Sequence, residues 1–308
     1  MSGQEAAPNG AAVARAARER SEQEREAMGA AAERSANSRG QDGPPAPIDA
    51  ATVVVLRDAD PAAVPGHGFD PAASDAEPHI EVLMLRRNSR GFFGGMWVFP
   101  GGRVDPPDRG VPGDVVGPCD PRTAAGSSGL HTSDARGFRT AAVREAEEEA
   151  GIDLSGAELA HFAHWLPPPI RAKRFSTHFF VCEAPADLDA VRVDGSEILD
   201  HAWVSPASAL ERRAAGEIEF VTPTFVTLTW LSGFGRTADV LASVNGPTCF
   251  HTEIIPSPEA DPGNIAVYVG DAAFPDGDLD APGPRRRCIM VRSGWRWEES
   301  DGTNPATG

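Results

Sequence analysis

Large apolar side chains are almost absent up to about residue 47, where Ala, Arg, Glu, Gly and Ser dominate. Composition favours helix over Ala11–Ala36, but such a segment buries little surface. Residues 1–47 therefore read as a disordered or loosely helical tail. Ordered patterning begins with β-branched runs: ATVVVLR at Ala51–Arg57 and HIEVLMLRR at His79–Arg87 predict two strands. A glycine-rich turn at Gly91–Gly95 leads into a short strand, Met96–Pro100. Arg109–Gly137 is mostly Gly, Pro, Ser, Asp and Thr and reads as an irregular loop. Phe138–Ala150 carries the clearest helical period in the chain, with Gly151 placed to cap it. Strands follow at Leu159–Leu166, Phe175–Cys182 and His201–Val204, then helices near Pro206–Ala215 and Pro223–Leu231. Past Thr237, Phe250–Ile255 and Ala266–Val269 predict strands, and Cys288–Ser293 with Trp295–Trp297 a final hairpin. The expected organisation is a domain over 48–236 with an insertion at 109–137, a β-rich extension over 237–300, and a tail at 301–308.

Composition narrows the function. The chain has 308 residues, is 41% hydrophobic and carries a formal net charge of −17. An acidic surface repels phosphate backbones, which argues against a nucleic-acid partner. A small polyphosphate remains compatible if a divalent cation supplies the positive charge. Lys173 is the sole lysine, which excludes most lysine chemistry. Cys119, Cys182, Cys249 and Cys288 are far apart with no CxxC pair, so they read as buried or incidental thiols. No stretch approaches a membrane span and no secretory leader is evident. The expectation is a soluble, cytoplasmic protein with no membrane partner; a homodimer is one arrangement left open.

The candidate chemistry sits in REAEEEAGI, Arg144–Ile152. At about 100° per residue, Glu148 and Glu149 fall within about 60° of Glu145 on either side. Ala146, Ala150 and Val143 share another arc that can pack on a sheet. Three carboxylates so placed repel one another, and a hard divalent cation with oxygen ligands relieves this. The other reading is a solvated acidic face. Upstream, FPGGRVDPPD at Phe99–Asp108 places two glycines after a strand, letting backbone carbonyls approach a metal.

Together the two segments resemble the Nudix box: Gly, five residues, Glu, seven residues, then Arg-Glu-apolar-x-Glu-Glu-x-Gly-apolar. Gly102 is the first glycine, Asp108 stands where the family has Glu, and Arg144, Glu145, Ala146, Glu148, Glu149, Gly151 and Ile152 fill the second half. The spacer from Arg109 to Val143 holds 35 residues instead of seven. This resembles the interrupted-box branch, the peroxisomal coenzyme A diphosphatase-like proteins and their bacterial relatives. The resemblance implies an α/β/α sandwich with a mixed sheet, here with extra C-terminal strands. It implies Mg²⁺ (or Mn²⁺) held by Glu145, Glu148, Glu149 and the Gly102 carbonyl, with Arg144 orienting the glutamates. It implies hydrolysis of a small nucleoside diphosphate derivative, with coenzyme A or acyl-CoA leading. Glu197 is the candidate for a further base or ligand, or else an exposed loop acid. Arg86, Arg171, Lys173 and Arg174 are candidates for substrate phosphates; Arg86, with Arg87 and Arg90, could equally be a basic strand end. Arg285–Arg287 reads as a solvated turn. A catalytically silent domain that binds a nucleotide-like effector and regulates a partner is the alternative.

Overall fold

The structure is a computed structural model that describes residues 46–59, 79–89, 94–109, 132–169, 173–186, 188, 191–258 and 263–301. Nearly all of the expected tail at 1–47, most of the insertion, Arg90 and Arg171 lie outside the described residues. The strands are β1 (Ile48–Asp58), β2 (Ile80–Arg87), β3 (Trp97–Val98), β4 (Gly101–Arg103), β5 (Ala160–Leu166), β6 (Phe175–Glu183), β7 (Ile198–Val204), β8 (Thr248–Pro256), β9 (Gly263–Tyr268), β10 (Arg285–Val291) and β11 (Gly294–Ser300). The helices are α1 (Thr132–Ala150), α2 (Pro206–Ala214), α3 (Thr222–Leu231) and α4 (Thr237–Ser243).

All eleven strands join one mixed sheet in the order β11-β10-β9-β8-β5-β6-β1-β2-β3, with β4 on β1 and β7 on β2. The pairs β1–β6 and β5–β8 are parallel, the rest antiparallel. The VVVL run in β1 is continuous because both faces of this central strand are covered. Val53 and Val55 pack toward α1, with Leu83, Leu85, Ala142, Ala146 and Ala150. Val54 and Leu56 pack on the other face, with Val226, Leu228 and Leu231 of α3 and Val240 of α4. The sheet thus lies between α1 and α2–α4, as the expected sandwich requires.

Several local expectations change. The key helix begins at Thr132, inside the stretch read as loop. Gly151 does cap it, with φ +67° and its N–H donated to the Glu147 carbonyl at 2.9 Å. The strands beyond residue 237 extend the main sheet, because β8 pairs with β5. Arg285–Arg287, expected to be a solvated turn, forms the start of β10, and Arg287 is buried. Its guanidinium donates to both carboxylate oxygens of the buried Asp271 at 2.8 and 2.6 Å, so the charge is paired where it is desolvated. Of the cysteines, Cys182 and Cys288 are buried free thiols. Cys249 is disulfide-bonded, against the expectation of buried or incidental thiols. Among the described residues, no helix is long and apolar enough to cross a membrane.

Candidate active site

A cleft of about 700 Å³ opens where β4, α1 and the ends of β1, β6 and β8–β11 meet. Gly101 and Gly102 do not form a free loop: β4 pairs with β1, Gly102 opposite Ala51 and Gly101 opposite Thr52. That pairing lays the glycine backbone against the first exposed turn of the α1 carboxylate run. A Cβ added at Gly102 would stand 2.3 Å from Glu145 Oε1. Glycine is required there because backbone and carboxylate share the space. Gly102→Ala is accordingly expected to displace Glu145 and lower kcat at least about tenfold, read by steady-state kinetics against an unchanged folded spectrum.

The three glutamates do not behave alike. Glu148 is exposed at the cleft rim, Glu145 is half-buried in its wall, and Glu149 is buried. Glu149 accepts from the Gly101 N–H at 3.0 Å and from Arg87 at 3.2 Å. Its carboxylate thus fastens β4 to α1. Burial, only partly offset by these donors, pushes Glu149 up to about 7. Burial likewise raises Glu145, against the lowering effect of Arg144.

Arg144 ties the two halves of the box together. It donates to Asp108 at 3.2 and 3.0 Å, to Glu145 and Glu148 at 2.9 Å each, and to the Arg103 carbonyl at 2.9 Å. The hydrogen bond to Asp108 is the largest of the effects that hold Arg144 firmly protonated. Asp108 is buried on the turn Pro106–Arg109 and also accepts from the Asp105 N–H at 2.8 Å. The shorter carboxylate is thus bonded to Arg144 although 35 residues separate the two in the sequence. Arg144→Leu would leave the Asp108 carboxylate buried without its cation. A loss of about 2–3 kcal/mol is expected in denaturant unfolding, discounted for the partial exposure of Arg144.

Glu197 is brought to the cleft, where it forms an ion pair with Arg87. Arg87 thus stands between Glu149 and Glu197. Arg86 is not brought there: it turns to the opposite face of β2 and bonds Asp200 of β7 at 3.3 Å. Strand alternation decides this, since Leu83 and Leu85, which share the parity of Arg87, pack toward α1. Lys173 and Arg174 line the cleft; Lys173 lies over the Phe175 ring at 5.3 Å and Arg174 donates to the Pro167 carbonyl at 3.2 Å. Trp165 and Phe179 also line it, with Trp165 stacked on Phe250 at 3.9 Å. The C-terminal strands add Thr252, Ile254, Asn264, Ala266, Met290 and Trp295. Sequence patterning gives no signal for these last residues, because only the β5–β8 pairing carries them to the site.

Among the described residues, no three His, Cys, Asp or Glu side chains are gathered as a ready cation cage. Glu145 and Glu148 both accept from Arg144 Nη1, which bridges them, and offer hard oxygen donors beside the Gly102 backbone. That donor set suits a divalent cation such as Mg²⁺.

Comparison with known proteins agrees with this geometry. The NUDIX domain matches residues 73–223. The chain is 29% identical over 242 residues to human acyl-coenzyme A diphosphatase NUDT19, an alignment that covers 54% of this chain and spans 64% of that relative's length. Among solved structures, a NUDIX hydrolase from Alicyclobacillus acidocaldarius is similar at TM-score 0.48 and 24% identity, covering 65% of this chain and 97% of the other. A C. elegans Ap4A hydrolase is similar at TM-score 0.35 and 19% identity, covering 61% and 99%. Residues 73–223, which contain both halves of the box, therefore match a NUDIX domain, with β1 lying before the matched segment.

Proposed function

We propose that this protein is a metal-dependent hydrolase that cleaves the diphosphate bond of a nucleoside diphosphate linked to another moiety. The observation that carries the reading is the close approach of Glu145 to the Gly102 backbone at one end of the cleft, with Glu148 beside it. Glu145, Glu148 and the Gly102 carbonyl would hold Mg²⁺ or Mn²⁺, which supplies charge neutralisation at the diphosphate and an activated water. Glu149, fixed by Gly101 and Arg87, holds β4 in register so that Gly102 faces the glutamates. Arg144 orients Glu145 and Glu148. Glu197, at the cleft and exposed, is the group placed to accept a proton from water. Lys173 and Arg174 meet the remaining phosphate charge.

Water adds to one phosphorus and the anhydride P–O bond breaks. The products are a nucleoside monophosphate, or an adenosine 3′,5′-bisphosphate, and a phosphorylated leaving group. The human relative's name favours coenzyme A or an acyl derivative as the substrate. The test is a turnover screen of coenzyme A, acyl-CoA, ADP-ribose, NADH and dinucleoside polyphosphates. Absence of turnover across that panel with both Mg²⁺ and Mn²⁺ overturns the reading.

A further inference from the structure

The cleft has a second end that diphosphate chemistry leaves unused. Ile254 on β8 faces Ala266 on β9. Asn264, two residues before Ala266 and on the same face, faces Met290 on β10, and Met290 faces Trp295 on β11. All five line the cleft. They form a band across four neighbouring strands, about 14 Å long at the usual strand spacing, with Asn264 its one polar member. Side chains from α2 and α3, on the same face of the sheet, hold the band in place. Arg213 lies over the Trp295 ring at 3.5 Å and is paired with Glu219 at 2.9 Å. The Thr222 hydroxyl donates to Met290 Sδ at 3.3 Å.

An elongated, immobilised band of aliphatic, thioether and indole surface, continuous with the proposed diphosphate site, fits an extended apolar group. We propose that the C-terminal strands bind an unbranched acyl tail carried on the non-nucleotide half of the substrate, and that Ile254, Met290 and Trp295 set the preferred chain length. The proposal rests on the reading of the Glu145–Glu148 end as the diphosphate site. It goes further by assigning chain recognition to residues outside the matched NUDIX segment.

The experiment measures equilibrium binding to the full chain by calorimetry, using coenzyme A and its acetyl, octanoyl and dodecanoyl thioesters, with turnover of each followed separately. Burial of each methylene is expected to tighten binding about two- to fourfold until the band is filled. Octanoyl-CoA should then bind at least about fiftyfold tighter than acetyl-CoA. Ile254→Ser should shrink that ratio and leave acetyl-CoA binding unchanged, and Thr252→Trp, which narrows the same face, should shift the preference to shorter chains. Equal binding of acetyl and octanoyl thioesters overturns the proposal, as does an Ile254→Ser loss that is the same for both, or no binding of any thioester. The wild-type series decides even if neither variant folds. Chain-dependent binding without turnover would sink the hydrolase reading and leave this one standing. Metal-dependent turnover with equal binding of the acetyl and octanoyl thioesters would do the reverse.

Discussion

Glu145→Gln and Glu148→Gln are each expected to lower kcat about 100- to 1000-fold with little change in thermal stability. Glutamine keeps the shape of the side chain, and its carbonyl still accepts the 2.9 Å bond that Arg144 makes to each glutamate. The Arg144–Asp108 pair, which closes the box, is untouched. Only the negative charge and its capacity to bind a hard cation are lost. Loss of activity with an unaltered melting curve therefore separates a chemical role from a structural one. If α1 merely presents a solvated acidic face, both variants retain full turnover. Glu147→Gln is the internal control: that residue is exposed on the helix and does not line the cleft, so kcat should not change.

The second large effect is acid destabilisation centred on a histidine cluster beneath α1. His178 and His161 share a hydrogen bond of 3.0 Å, His164 and His178 stack at 4.2 Å, and His164 bonds Ser176 at 2.8 Å. Phe138 of α1 covers His178 at 4.0 Å. Burial pulls His161 down to about 4, His164 to about 3 and His178 to about 2, and neighbouring histidines lower the last two further. The folded values lie below the unfolded value of about 6.5. The unfolded chain therefore takes up protons first. Stability is fully present above about pH 6.5 and falls as pH drops toward the folded values, by about 1.4 kcal/mol per pH unit for each histidine. A loss on the order of 5 kcal/mol is expected between pH 6.5 and 4.5, comparable with the total stability of many domains. Urea unfolding across that range reads it directly. His178→Gln should flatten the slope by about one proton; an unchanged slope would show that the cluster is not its source.

The elements that sequence reading placed well are those governed by local pattern. Val53–Leu56 and Leu83–Leu85 announce buried strands, and Val143, Ala146 and Ala150 announce the face of α1 that meets them. The Gly102–Asp108 and Arg144–Ile152 segments were legible as two halves of one site despite the long spacer. What was not legible depends on tertiary partners. Arg86 and Arg87 are equivalent by type, and only the side of β2 that α1 covers decides that Arg87 reaches Glu149. Glu149 shares an arc with Glu145 and Glu148, but its depth beneath β4 follows from the β1–β4 pairing. Arg285–Arg287 looks solvated until Asp271 is brought beside Arg287. α4 has one turn of apolar contact and too short a period to stand out. The contribution of Ile254, Met290 and Trp295 required the parallel junction of β8 with β5, which no spacing reveals.

The central claim is that cation-assisted diphosphate cleavage occurs at the Glu145–Glu148 end of the cleft. Its most direct test is phosphorus NMR of an acyl-CoA or ADP-ribose reaction with Mg²⁺, after chelation, and after Mg²⁺ is restored. The account requires loss of the diphosphate resonances with appearance of two phosphomonoesters, arrest on chelation and recovery on re-addition. Turnover that persists in chelator, or diphosphate resonances that stay intact with Mg²⁺ and Mn²⁺, would contradict it.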